Sequence, residues 1–104
     1  MDFEWDPSKN AANRLKHGID FEDAARLFQG AYLELVDDRS HYEEERWIAV
    51  GEAGARVLVV IYTWRGKKCR VISARKATSH ERKAYHEAID RAATGSSNEP
   101  EANG

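Results

Sequence analysis

"RVLVVIYTWRGKKCRVISARK", residues 56–76, is the stretch whose reading decides the fold. Residues 56–65 are apolar almost throughout, as in a central strand covered on both faces. "RGKK" (65–68) is a compact turn built around Gly66. The residues after it, "CRVISARK" (69–76), are therefore expected to return antiparallel as the second arm of a hairpin. Along that arm, Arg75 is expected to share a face with Ser73 and Val71, two and four residues before it.

Downstream, "TSHE" (78–81) reads as a capping box: the Thr78 hydroxyl accepts from the first turn while Glu81 reaches back. The helix it opens carries Glu81, Tyr85, Ala88, Ile89 and Ala92 on one side. From Thr94 onward, "TGSSNEPEANG" has no apolar residue larger than alanine and no periodicity, so residues 94–104 are expected to be a disordered tail behind a single domain of residues 1–93. Upstream, "YLELVDD" (32–38) and "ERWIAVGEA" (45–53) read as two strands joined by a polar connection.

The N-terminal third begins with "MDFEWD", whose alternation predicts a short strand. "DPSKNAANRLKHG" then reads as a helix, with Asp6 as N-cap, Pro7 at the first helical position and Gly18 as the stop. Lys9, Asn13, Lys16 and His17 recur at helical spacing and predict one continuous polar, cationic face. "DFEDAARLFQG" predicts a second helix, capped by Asp20, with Phe21, Ala24, Ala25 and Phe28 as its apolar stripe. The order β-α-α-β-β-β-β-α is that of an α+β two-layer sandwich. Its antiparallel sheet has about four strands plus the short N-terminal one, packed with the two N-terminal helices and the C-terminal helix.

With 33% charged and 41% apolar residues, the chain reads as an ordinary globular domain. No apolar run approaches the ~18–20 residues of a membrane span, and the acidic start does not read as a signal or transit peptide. These features make a cytoplasmic setting the expectation. Cys69 is the only cysteine, which excludes an internal disulfide and a cysteine-based metal framework. At the start of a strand it reads as a small buried residue.

A net charge of −2 conceals a strong asymmetry. Nine acids lie between Asp20 and Glu45 against Arg26 and Arg39, whereas eight bases lie between Arg65 and Lys83 against Glu81 alone. A basic segment of this kind is the usual footprint of an anionic partner, with nucleic acid the commonest. The competing reading is a set of solubilising charges.

Walker, GxGxxG, GxSxG and HExxH signatures are absent, and the four histidines share no metal-ligand spacing. No metal and no cofactor are expected. An arginine, lysine, histidine and tyrosine repertoire remains, and it matches what metal-free RNA cleavage requires. A base takes the 2′-hydroxyl proton, an acid protonates the leaving 5′-oxygen, and cations stabilise the charged phosphorane-like transition state. Arginine suits the last role because its planar fork grips two phosphate oxygens at once. Arg75 at a strand end and Arg82 in the first turn of the next helix are candidates to meet at one phosphate. Tyr85 offers a stacking face or a proton. Lys16 and His17 are the best acid or base candidates. Each has a structural alternative: Arg75 and Arg82 paired with Glu81, Asp37 or Asp38, Arg46 paired across strands, Tyr85 in the core, and His17 as a helix C-terminal residue favoured by the dipole.

"FEWDPSKNAANRLKHGIDFEDAARLF" and "RVISARKATSHERKAYHEA" resemble the BrnT toxins, the ribonuclease partners of BrnA in bacterial type II toxin–antitoxin modules. "DDR" (37–39), "EER" (44–46) and "VLVVIYTWR" match between those ends, so the resemblance covers residues 3 to about 90. It implies a RelE-like fold and a metal-independent endoribonuclease that arrests translation. It also implies a BrnA-like ribbon-helix-helix antitoxin, with which the toxin represses its own promoter. DNA is then reached only through the antitoxin, and a homodimer or a hetero-tetramer with the antitoxin is the expected assembly. Carried onto this chain, the motif positions are Lys16 and His17 in "KHG", Arg46, Arg75 in "ISAR", and Arg82 and Tyr85 in "ERxxY". Arg70, Lys76 and Lys83 are expected to contact RNA phosphates. The rival function is a non-catalytic dimerisation and co-repressor module for a DNA-binding partner. Direct DNA binding by this chain is disfavoured, because no recognition-helix arrangement is present and the last helix carries Glu87 and Asp90.

Overall fold

The computed structural model describes the backbone of residues 1–102 and the side chains of residues 1–93. Strands β1 (Asp2–Glu4), β2 (Tyr32–Val36), β3 (Trp47–Ala53), β4 (Arg56–Arg65) and β5 (Lys68–Lys76) form one sheet in the order β1-β5-β4-β3-β2. The hairpin read from the sequence is its centre: β4 pairs antiparallel with both β3 and β5, and β1 adds in parallel at the far edge of β5. This is the expected α+β fold, with the short N-terminal strand making the sheet mixed.

Helix α1 (Pro7–His17) starts as its sequence dictates. The Asp6 carboxylate accepts the Ser8 N–H at 2.8 Å, Pro7 opens the helix, and Gly18 closes it in the left-handed region at φ 71°. The second helix is shorter than expected. It is α-helical only over α2 (Phe21–Ala24) and tightens to a 3₁₀ turn over Ala25–Gln29. Three residues per turn bring Ala24 and Leu27 onto one line, and both are fully buried against the sheet. Gly51 on β3 makes room for this packing, since a Cβ there would lie 2.9 Å from the Tyr32 Cβ and 3.4 Å from Leu27.

The two sheet faces differ. One is a dense core in which Ile19, Phe21 and Leu27 from the helical layer meet Leu58, Val60, Tyr62 and Val71. The other carries Val57 and Val59 with Ala77 beside them, and Tyr85 and the half-buried Ile89 are set over them by α3 (Ser79–Ala102). The N-terminal helices therefore form the full second layer, while α3 crosses the opposite face and covers only part of it. Its capping box forms as read: Thr78 N–H donates to Glu81 at 2.8 Å, and Glu81 N–H to the Thr78 hydroxyl at 3.1 Å. α3 enters the segment expected as a tail; of residues 94–104 only its backbone through Ala102 is described, and residues 103–104 lie outside the described residues.

Two expectations about faces are corrected. Asn13 does not lie on an open cationic face but is buried. Its amide donates to the carbonyls of Ile19 and Ala74, both at 2.9 Å, and its oxygen accepts the Ala74 N–H at 3.1 Å. One side chain thus closes the edge of β5 beyond the reach of β1, satisfying a backbone pair that would otherwise be buried unmet. Arg75 and Val71 do not share a face either. Tyr62 pairs with Val71 and Ile61 with Ser73, so Ile72 is the extra residue of a β-bulge. The bulge reverses the alternation: Val71 and Ala74 enter the dense core, while Ser73 and Arg75 face the α3 side.

Candidate functional site

That reversal creates the site. On the α3 side lies an open groove of about 430 Å³, with Leu33, Leu35, Ile48, Val50, Val59 and Ile61 as an apolar floor. Its polar wall consists of Arg39, Ser73, Arg75 and Glu81, and Ala84 and Tyr85 of α3 border it. Arg75 is held by a bidentate pair, with Nη1 and Nη2 each donating to Glu81 at 2.8 Å. Arg39 is held likewise, Nε and Nη2 donating to Asp37 at 2.7 and 2.9 Å. The Arg75 guanidinium holds the Glu81 carboxyl down at about 2, with the Thr78 backbone N–H adding to the effect. Arg39 lowers the pKa of Asp37 in the same way. Both carboxylates are thus anions over the whole physiological range, and both guanidiniums are fixed in orientation.

Ser73 links this groove to a second, smaller depression of about 210 Å³ across β5, lined by Lys9, Asn13, Lys16, His17 and Ile72. Lys16 is exposed and His17 half-buried, in the last turn of α1. The fold therefore sets the candidate acid and base residues and Arg75 on either side of Ser73.

The other sequence candidates are dispersed. Arg82 does not line the Arg75 groove. It borders a depression with Arg56, Val57, Lys76 and Ala77 at the outer side of the α3 N-terminus. Lys83 is exposed on α3. Arg70 is paired with Glu4 across β1 and β5 at 2.8 Å. Arg46 stacks its guanidinium 4.1 Å from the centre of the Tyr42 ring, among Asp37, His41 and Glu43–Glu45, with its Nε buried and unpartnered. Tyr85 is 3% exposed, and its hydroxyl donates to the Ala31 carbonyl at 2.8 Å. Burial, followed by the charge of Glu52, raises its pKa. Cys69 is buried as expected, with its thiol pushed up to about 12 chiefly by that burial, so it is a packed side chain and not a nucleophile.

Two residues of the wall were absent from the sequence candidates, Arg39 and Glu81. Glu81 was legible as a cap and as one pairing alternative for Arg75, but not as part of a groove wall. Arg39 lay in an acidic stretch, and only its position in "DDR" marked it. Among the described residues no helix is long and apolar enough to cross a membrane, and no three histidine, cysteine or acidic side chains converge to hold a metal.

No curated protein matches the chain. A family profile described as "Ribonuclease toxin, BrnT, of type II toxin-antitoxin system" matches residues 5–81. The matched region spans α1, the whole sheet beyond β1, and both walls of the groove through Glu81, with Arg82, Lys83 and Tyr85 lying past its end. Matched over most of its length, the chain belongs to the BrnT family of ribonuclease toxins of type II toxin–antitoxin systems.

Proposed function

We propose that this chain is a metal-independent endoribonuclease that arrests translation, with its active site where Arg75 and the Lys16–His17 turn meet across Ser73. The observation that carries this reading is the β-bulge at Ile72. It turns Arg75 out of the core into an open groove, and it leaves Ser73 bordering both that groove and the depression of the α1 C-terminus. In the reaction, the 2′-oxygen attacks the adjacent phosphorus and gives its proton to a base on the α1 side. The P–O5′ bond breaks, and the 5′-oxygen takes a proton. Arg75 stabilises the charge that accumulates on the phosphoryl oxygens. Lys76 and Arg82, with Arg56 beside them, extend the cationic surface toward flanking phosphates. Lys83 and Arg70 add to it from α3 and β5. Tyr85 holds α3 over the groove by packing and through its bond to Ala31, and Arg46 orders the 37–46 loop through Tyr42.

A BrnA-like ribbon-helix-helix antitoxin is the partner in this reading, and it carries the pair to promoter DNA as a hetero-tetramer. The apolar floor and the open β2 edge, with Leu35 59% and Val36 49% exposed, offer it surface to cover.

The second reading, a non-catalytic co-repressor module, draws on the same groove. Its floor is aliphatic, and both arginines of its wall already hold carboxylates. Expression of Arg75→Ala with and without the antitoxin separates the two. Loss of growth arrest with antitoxin binding retained supports the nuclease. Growth arrest retained with antitoxin binding lost supports the module.

A further inference from the structure

The sequence reading paired Arg75 with Arg82 at one phosphate, but the residue that shares a groove with Arg75 is Arg39. The two arginines arrive from opposite directions, Arg75 from the end of β5 and Arg39 from the loop after β2. Each is anchored by a carboxylate. Glu81 is fixed by the capping box of α3, and the Asp37 side chain has 0% exposure and also accepts the Arg39 backbone N–H at 3.3 Å. Asp37 itself is set in place by its N–H bond to the Arg46 carbonyl at 2.8 Å, which ties the loop to the sheet.

Neither anchor uses up its guanidinium. Asp37 engages Nε and Nη2 of Arg39, and Tyr42 lies within hydrogen-bonding reach of the same guanidinium, yet the side chain stays 64% exposed. Glu81 engages Nη1 and Nη2 of Arg75, leaving its Nε, and that side chain is 40% exposed. A guanidinium carries five N–H donors, so both retain donors for a further anion. The Arg39 charge is also close enough to oppose protonation of Arg75, whose own ion pair with Glu81 outweighs it. Two oriented cations facing one cavity, each with spare donors, are what a phosphoryl group gaining charge requires.

We infer that Arg39 and Arg75 form a two-arginine clamp on the scissile phosphodiester, with Arg39 a catalytic residue of the ribonuclease. The inference rests on the proposed nuclease reading. The clamp moves no proton. While the 2′-oxygen–phosphorus bond forms and the P–O5′ bond breaks, Arg39 and Arg75 donate N–H groups not engaged by Asp37 and Glu81 to the non-bridging oxygens, and both stay charged throughout. Asp37 is a positioning residue, holding the Arg39 plane toward the groove.

Single-turnover cleavage of a purified RNA oligonucleotide tests this, with binding of a 2′-deoxy analogue measured in parallel. Arg39→Ala is expected to slow cleavage ~10²-fold or more, the loss typical of one transition-state donor, with analogue affinity changed only a few-fold. Because Arg39→Ala leaves Asp37 buried without its cation, the double variant Asp37→Asn, Arg39→Gln removes both charges together and carries the same expectation. Arg39→Lys keeps the charge without the fork and is expected to recover part of the rate. Cleavage by the folded double variant within a few-fold of wild type, with Arg75→Ala inactive, overturns the clamp and leaves the nuclease reading standing. A wild-type chain that cuts no RNA overturns both.

Discussion

Asn13 shows how much one side chain can decide. Its three hydrogen bonds close the β5 edge and hold the turn after α1, so the "KHG" end of that helix is seated against the strand that bears Arg75. Replacing it with alanine strands the Ala74 backbone pair and the Ile19 carbonyl, and a loss of about 2–4 kcal/mol is expected, measured by urea denaturation. From sequence, Asn13 was indistinguishable from its neighbours on the polar stripe, because periodicity places a residue on a face without saying whether that face meets water or a strand edge. Glu81 was more legible, since capping-box spacing is local chemistry. Its carboxyl, held at about 2 by Arg75 instead of the ordinary 4.5, contributes stability that is fully present above 4.5 and lost as pH falls through 2. Asp37, also lowered, adds to the same acid limb. Denaturant titrations across that range are expected to show wild-type stability falling more steeply than that of Glu81→Gln; equal slopes would exclude the ion pair as the cause.

Among the elements, β5 carries the most information and hid the most. Its existence, its turn at Gly66 and its antiparallel pairing with β4 were plain from hydrophobic pattern and turn chemistry. The bulge was not, because one added residue leaves composition and alternation nearly unchanged and is visible only in the pairing with β4. Deleting Ile72 would remove only the extra residue, leaving Ser73, Ala74 and Arg75 opposite Ile61, Val60 and Val59 and on their present faces. Such a chain is expected to keep cooperative unfolding, as followed by circular dichroism, and loss of cooperativity would mean that Arg75 had turned into the core, where an unpaired guanidinium cannot be accommodated. The second helix failed its reading for a related reason: the apolar stripe fits an α-helix and a 3₁₀ turn almost equally. The close approach of that turn to β3 rests on Gly51. Gly51→Ala is expected to cost about 1–3 kcal/mol as the contact to the Tyr32 Cβ is forced apart, readable as a lowered denaturation midpoint at unchanged slope.

At the scale of the whole molecule, the charge asymmetry was legible and its arrangement was not. The acidic and basic segments do not form two opposed poles. They meet at Glu44 and Arg65, while Arg70 and Arg75 pair with Glu4 and Glu81, acids from outside the acidic segment. Among the described residues, basic side chains outside these ion pairs gather instead at Arg56, Lys76 and Arg82 beside α3, and at Lys9 and Lys16, with the His17 ring, beside β5. The Arg75 groove lies between these two clusters, which is the layout of a strand of phosphates led past a reactive corner. The most direct measurement is cleavage of purified RNA by the purified chain in excess EDTA, with Arg75→Ala alongside. Cutting by the wild type, reduced ~10²–10³-fold in the variant, is the predicted result. Equal cutting by both proteins, or none by the wild type on free RNA and on translating ribosomes alike, would contradict it.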